Sequence, residues 1–381
     1  MKKVLSVLVV LLVTFLLVAC GSEDTYEIAM ITDVGDIDDK SFNQGTWEGI
    51  EEWATENNKS HKYYKPSSAT LNDYVAAIDL AVASGAKIVI TPGYLFENAI
   101  HKAQDIHPDI KFVLIDGSPH NVSDWGDNDT PPTTYDGEDQ DFTVGDNTYS
   151  IFFKEQESGF FAGYAAYTDG KESLAFLGGL PVPAVIRFGV GFVAGAYYAA
   201  DLAEDTAYTF APVNYEYAPS GFAPSDDVVN WASARFTAGI DAIFAAAGGA
   251  GQSVFQAASS AGSTKWGIGV DVDQGPQHAK VLTSAMKGLG VVVKDALDAF
   301  YDDEFPGGQS VTLGAADDAV GLPTVSSSWR FATLTVAAYE NVYDLVAAGT
   351  IVVPGSSAEL ATYLTGLGYT IPEGLAAKIA D

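Results

Sequence analysis

Cysteine is nearly missing: Cys20 is the single one in the 381-residue chain, so no internal disulfide can form. Basic residues are scarce as well, 19 Lys and Arg against 50 Asp and Glu, for a formal charge of −31. Such a surface repels phosphate backbones and anionic headgroups, so nucleic acid is excluded as a natural partner. There is no P-loop, no Gly-x-Ser-x-Gly elbow, no short-period repeat and no coiled-coil heptad. The five histidines (His61, His101, His107, His120, His278) show no metal-ligand spacing, and they are expected at the surface. No catalytic residue, metal or cofactor is expected from these patterns. What is present is apolar: 48% of residues against 18% charged, the balance of a well-cored protein long enough for two domains.

The first twenty residues form a secretory leader. Lys2 and Lys3 precede an uncharged, predominantly apolar run over 4–18, which closes on Leu17-Val18-Ala19-Cys20. The run is shorter than the ~20 residues of a membrane-spanning helix. A lone thiol after Leu-Val-Ala resembles a bacterial lipobox, in which Cys20 becomes a diacylated N-terminus. Two acyl chains suffice for stable anchoring where one does not. The expected organisation is a lipoprotein signal peptide over 1–19 and a tether over 20–25. An extracytoplasmic, lipid-anchored domain then follows at the bacterial cell membrane.

From there one rhythm recurs. Short β-rich runs over 28–31, 88–90, 112–115, 174–177, 240–244 and 266–270 end in Asp or Gly, and helix-like segments follow. Continuous apolar strands suit parallel sheets buried on both faces, and their alternation with helices argues for doubly wound α/β domains. Helices are expected over 41–55 with Ser41 as N-cap, over 154–167 and 188–202, and after Ser225, where Asp226 and Asp227 meet the positive helix end. Gly163 and Gly195 suggest close helix–sheet packing. The stretch 122–147, rich in Asp, Gly, Thr and Pro, reads as a solvated surface loop and a domain boundary, without calcium-loop spacing. The expected lobes are 26–147 with a returning segment near 275–310, and 148–274 with 311–381.

Open parallel sheets gather ligands outside the carboxyl ends of their strands. Asp33, Asp116, Gly248, Gly249 and Asp271 therefore become site candidates together, with Phe42, Phe244 and Lys287 nearby. Carboxylates facing few cations suit a ligand rich in hydroxyl donors, and aromatic faces suit a flat ring. A nucleoside fits that inventory and a phosphate does not. Each residue also has an ordinary structural role open to it: core packing for Phe42 and Phe244, helix capping for Asp33 and Asp116, a tight turn for Gly248.

The run Asp33-Val34-Gly35-Asp36-Ile37-Asp38-Asp39-Lys40-Ser41-Phe42-Asn43-Gln44 resembles the opening signature of the basic membrane protein family of substrate-binding lipoproteins. That family includes the purine nucleoside receptors of bacterial ABC importers. The resemblance continues through Phe112 to Gly117, Glu155-Gln156-Glu157-Ser158-Gly159, Ala247-Gly248-Gly249-Ala250-Gly251, Gly269-Val270-Asp271-Val272-Asp273-Gln274 and Thr283 to Lys287. It implies a type I periplasmic-binding-protein fold, two doubly wound parallel-sheet lobes around a central ligand cleft. It implies Phe42 and Phe244 stacking on a base, Asp33 and Asn43 reading its edge, and Asp116, Asp271 and Lys287 holding the ribose. The implied partners are a nucleoside and ABC permease subunits, served by a monomer that alters nothing it binds. Two stretches depart from the family pattern: the long acidic 122–147, and 215–227, where only Gly221-Phe222 survives of Gly-Ser-Phe-x-Asp.

The same cleft could instead hold a sugar or another small metabolite. An enzymatic alternative is a calcium-dependent nucleoside hydrolase, whose Asp-rich motif begins Asp-x-Asp; here Ile31 occupies the first of those positions.

Overall fold

The computed structural model describes residues 25–33, 35–121 and 141–379. The leader, Cys20 and most of the acidic stretch lie outside the described residues. Two six-stranded sheets organise the rest. The first has the order β13-β7-β4-β3-β1-β2, from β1 (Ile28–Ile31), β2 (His61–Tyr64), β3 (Ile88–Pro92), β4 (Lys111–Ile115), β7 (Thr148–Phe153) and β13 (Gln309–Leu313). The second has the order β14-β12-β11-β10-β8-β9, from β8 (Leu174–Gly178), β9 (Tyr215–Tyr217), β10 (Ala242–Ala246), β11 (Trp266–Asp271), β12 (Val281–Lys287) and β14 (Val320–Gly321). All neighbours pair in parallel except β12 and β14. A small hairpin, β5 (His120–Asn121) with β6 (Asp141–Phe142), brackets the undescribed acidic stretch.

Central strands are buried on both faces, which is why they read as continuous apolar runs. In β1, Ala29 and Ile31 join one core with Phe112 and Leu114, while Ile28 and Met30 join the core on the other face. The second sheet repeats this: Ile243 and Ala245 face one core, Ala242, Phe244 and Ala246 the other.

Helices cover both faces, and glycine sets the closest approach. Helix Glu155–Thr168 crosses helix Pro183–Leu202 with Gly159, Gly163, Gly191 and Gly195 at the contact. A Cβ on Gly195 would stand 2.0 Å from the Phe160 carbonyl oxygen, so any side chain there forces the helices apart. The glycines expected to serve helix–sheet packing thus serve helix–helix packing. Pro183–Leu202 is long and apolar enough to cross a membrane, but 72% of that stretch is buried inside the protein, as befits a core helix.

The lobe boundaries shift from those expected. β7 completes the first sheet instead of opening the second, and β12 belongs to the second sheet, so the returning segment begins after Lys287 and ends with β13. An acidic excursion inside the first lobe had looked like a boundary. The chain crosses between lobes after β7, β12 and β13. The crossings are tied together: Lys154 N donates to Leu313 O at 2.8 Å, Gly288 N to Ala319 O at 2.8 Å, and Ala315 N to Glu157 Oε2 at 2.7 Å. Three connecting segments thus lie side by side between the lobes.

Candidate ligand-binding cleft

The carboxyl ends of both sheets face one cavity of about 960 Å³, lined from both lobes. Corresponding strands end alike. Asp116 follows β4 and Asp271 ends β11, the same position in each sheet, and both adopt left-handed backbone with φ of +59° and +66°. Aspartate tolerates this region better than most residues, but it remains strained and persists only where the surroundings enforce it. Gly93 after β3 and Gly248 after β10 are likewise paired, with φ of +111° and +52°.

The first helix, Phe42–Glu56, is capped in an unexpected way. Ser41 occupies the N-cap position without capping. Asp39 takes that role: its carboxylate accepts from the backbone N–H groups of Ser41 (2.8 Å), Asn43 (2.9 Å) and Gln44 (3.1 Å), where a negative charge complements the helix end. Freed from capping, the Ser41 hydroxyl donates across the cleft to Asp271 Oδ2. Gln274 and Gln277, from the second lobe, both donate to the Lys40 carbonyl, at 2.7 and 3.1 Å. The lobes are therefore in contact, in a closed arrangement.

Asn43 is buried and fully engaged. Its amide nitrogen donates to Asp33 Oδ1 (2.8 Å) and Asp39 Oδ2 (3.1 Å), and its oxygen accepts from Asp33 N (3.3 Å). Asp33 Oδ1 also accepts from Gly35 N at 2.6 Å. Burial pushes the Asp33 carboxyl up to about 6, against the opposing effect of these hydrogen bonds.

Lys287, at the end of β12, carries the positive charge of the site. Its ammonium bonds Asp116 from the opposite lobe and lies 3.6 Å from both Glu155 Oε1 and Asp271 Oδ1. It also stands 4.6 Å from the Phe42 ring centre and 5.4 Å from that of Phe188, within cation–π range. Burial disfavours its charge, but Asp116, Asp271 and Glu155 outweigh that and hold it above the usual lysine range. Arg187 donates to Glu155 Oε2 at 2.6 Å, and together with Lys287 it keeps Glu155 below the usual range in spite of burial. Asp116 goes the other way: burial raises it to about 7 although Lys287 opposes the rise. Burial also lifts Asp271, more than Lys287 and Ser41 lower it.

The Asn43 amide and the Lys287 ammonium are thus engaged inside the protein, and carboxylates of both lobes line the cavity. Asp116 Oδ1 is buried with no hydrogen-bond partner among the described residues. An unpaired buried acceptor costs roughly 1–3 kcal/mol, which a ligand donor would recover. Asp33, Phe42, Asn43, Asp116, Gly248, Asp271 and Lys287 all line the cavity.

Phe244 does not. It is fully buried in the middle of β10, with Phe176, Phe188 and Phe192 around it at 5.2–5.8 Å between ring centres. Its side chain faces a helix-covered core two residues before the strand ends, so it is a core aromatic and not a cleft residue. The aromatics of the second lobe that reach the cavity are Phe188 and Phe222. Phe222 lies against Gly179, where a Cβ would meet its ring at 2.3 Å. The surviving Gly221-Phe222 pair, between a strand and the Ser225-capped helix, was the available signal for it. Tyr94 and Arg187 also line the cavity, and Glu155 backs it; nothing in their sequence spacing marked them.

The model of the Bmp family, described as ABC transporter substrate-binding protein PnrA-like, matches residues 26–344. Among curated relatives, the chain is 29% identical to the ABC transporter nucleoside-binding protein BmpA of Lactococcus lactis, over 93% of this chain and 99% of that protein. It is also 29% identical to the CD4+ T-cell-stimulating antigen of Listeria monocytogenes, over 79% of this chain and 81% of that one. Among solved structures, the fold is similar to an ABC transporter solute-binding protein from Aeropyrum pernix, with a TM-score of 0.67 at 20% identity, covering 93% of this chain and 98% of that one.

Proposed function

We propose that this chain, which belongs to the Bmp family of PnrA-like ABC transporter substrate-binding proteins, captures a nucleoside outside the cytoplasm and presents it to a permease. The observation that carries this reading is the pairing of Asp116 with Asp271 around Lys287 beside the Phe42 ring. Two carboxylates from opposite lobes suit the adjacent hydroxyls of a ribose, and the ring next to them suits a base. The likeness to the Lactococcus nucleoside-binding protein supports the same choice.

In this mechanism either lobe meets the ligand first, and rotation about the three crossing segments brings the other lobe's aspartate onto it. Lys287 then shares its bonds between Asp116 and a ligand oxygen. The ligand leaves chemically unchanged. Cys20 would anchor the receptor through its acyl chains, and a separate subunit would hydrolyse ATP. Family members are extracytoplasmic and membrane-associated, which suits such an arrangement.

Denaturing the purified protein and identifying what it releases by mass spectrometry tests the reading. A released nucleoside supports it, and so does a thermal shift with added inosine, since a ligand at 100 times its Kd adds ~2.7 kcal/mol. A shift with a simple sugar and none with any nucleoside would reassign the cleft. Release of free base from inosine would point to the hydrolase alternative.

A further inference from the structure

We propose that Arg187 is a positioning residue for the cleft: by occupying Glu155, a buried carboxylate on Lys287's own lobe, it leaves the Lys287 ammonium to bond Asp116 across the cleft and so favours the closed arrangement. The effect on cargo affinity rests on the nucleoside reading above, and the effect on closure does not.

Four charges form a chain that runs from one lobe to the other past two of the crossing segments. Arg187 lies near the start of helix Pro183–Leu202, in the second lobe. Glu155 opens helix Glu155–Thr168 directly after the crossing from β7, and Lys287 ends β12 directly before the crossing at Gly288. Asp116 follows β4 in the first lobe.

Lys287 has three hydrogens to give and three carboxylates within reach. It bonds Asp116, while Glu155 Oε1 and Asp271 Oδ1 each stand 3.6 Å away, beyond an ordinary hydrogen bond. What else each carboxylate holds decides between them. Asp271 Oδ2 accepts from the Ser41 hydroxyl. Glu155 Oε2 accepts from Arg187 Nε at 2.6 Å. Asp116 has no second partner among the described residues. The least compensated carboxylate draws the ammonium, and it sits on the far side of the cleft.

Without Arg187 that order reverses. The Glu155 side chain is 0% exposed and that of Asp116 is 9% exposed, so an unpaired charge on Glu155 is the costlier of the two. Its Oε1 is already free of hydrogen bonds and faces the ammonium. A movement of about 1 Å along the flexible lysine stem closes that gap. Lys287 is then held within its own lobe, and its bond to the first lobe is lost. Burial disfavours the Arg187 charge, but Glu155 and Asp116 outweigh it and hold the guanidinium above the usual arginine range, so the pair stays ionised.

Small-angle X-ray scattering without added ligand, and calorimetric titration with inosine, test this on the native chain, Arg187→Met, Glu155→Gln and the double variant. Arg187→Met should have a larger radius of gyration than the native protein and bind inosine about tenfold or more weaker, as expected for one charge-assisted bond. In the double variant the competing carboxylate is gone, and both values should return to the native ones. Glu155→Gln alone should bind inosine no weaker than the native protein; a loss there would overturn the inference even if Arg187→Met does not fold. Equal radii in all four proteins, or an affinity loss that persists in the double variant, would also overturn it. Absence of inosine binding by the native protein would overturn the nucleoside reading alone, with the scattering comparison still deciding this inference.

Discussion

Asp33 follows the fifth strand of the first sheet where the second sheet has Gly179, although the ends of the third and fourth strands match: Asp116 with Asp271, Gly93 with Gly248. The one difference divides the labour of the cleft. In the first lobe the fifth strand end carries a half-buried carboxylate, held by Asn43 and Gly35. In the second, the absence of a side chain on Gly179 makes a seat for the Phe222 ring. The matched positions put like groups on both walls of the cleft, and the unmatched one makes the walls differ. A shared frame and one divergent strand end are enough to turn two similar lobes into unlike walls.

The comparison breaks first at Lys287, the cation common to both lobes. Lys287→Met removes the charge that compensates Asp116, Asp271 and Glu155. Stranding buried carboxylates in this way should cost ~3–5 kcal/mol, read as a lower urea midpoint, with binding lost as well. An unchanged midpoint would mean that the three carboxylates do not depend on it. Two phenylalanines of the second lobe, Phe244 and Phe222, sharpen the contrast between wall and core. Phe244→Ala should lower unfolding free energy by ~3–5 kcal/mol and leave nucleoside affinity per folded molecule nearly unchanged. Phe222→Ala should instead weaken binding by about 1 kcal/mol, with little effect on stability.

The carboxylate of the unmatched strand end should also show in the pH dependence of the empty protein. Asp33 has a folded pKa of about 6 against an ordinary 3.8, so the folded state binds more protons than the unfolded state between those values. Its contribution is complete below pH 4 and is lost as pH rises through 6. Asp33→Asn removes this slope, so its stability relative to the native protein should grow by up to ~3 kcal/mol between pH 4 and pH 7. Parallel pH profiles would show that Asp33 is solvated. A comparably small effect is expected for Ser41→Ala, which deletes a single bond between lobes. It should cost the closed state ~0.5–1.5 kcal/mol, seen as faster ligand release with the same fold.

The strands of both sheets could be read from the sequence because strands buried on both faces are apolar without interruption. That same property hid which side chain faces what. Phe244 looks no different from its neighbours in 242–246, and only the end of the strand, two residues later, reaches the cavity. Strand-end aspartates were legible because a polar residue after an apolar run stands out, which is how Asp33, Asp116 and Asp271 entered together. Glu155, Arg187 and Tyr94 were not, because their roles depend on how crossing segments and a helix start meet in space. The assignment of β7 and β12 to their sheets was illegible for a related reason: a strand's sequence does not name its partner. Ser41 shows a subtler limit, since a serine before a helix signals a cap, but Asp39 took that role and left its hydroxyl for the other lobe.

The most direct measurement of the central claim is calorimetric titration of the native protein with inosine, followed by chromatography of the recovered ligand. One-to-one binding with the nucleoside returned intact is the result this structure predicts. Absence of binding by every nucleoside tried, or recovery of hypoxanthine in place of inosine, would contradict it.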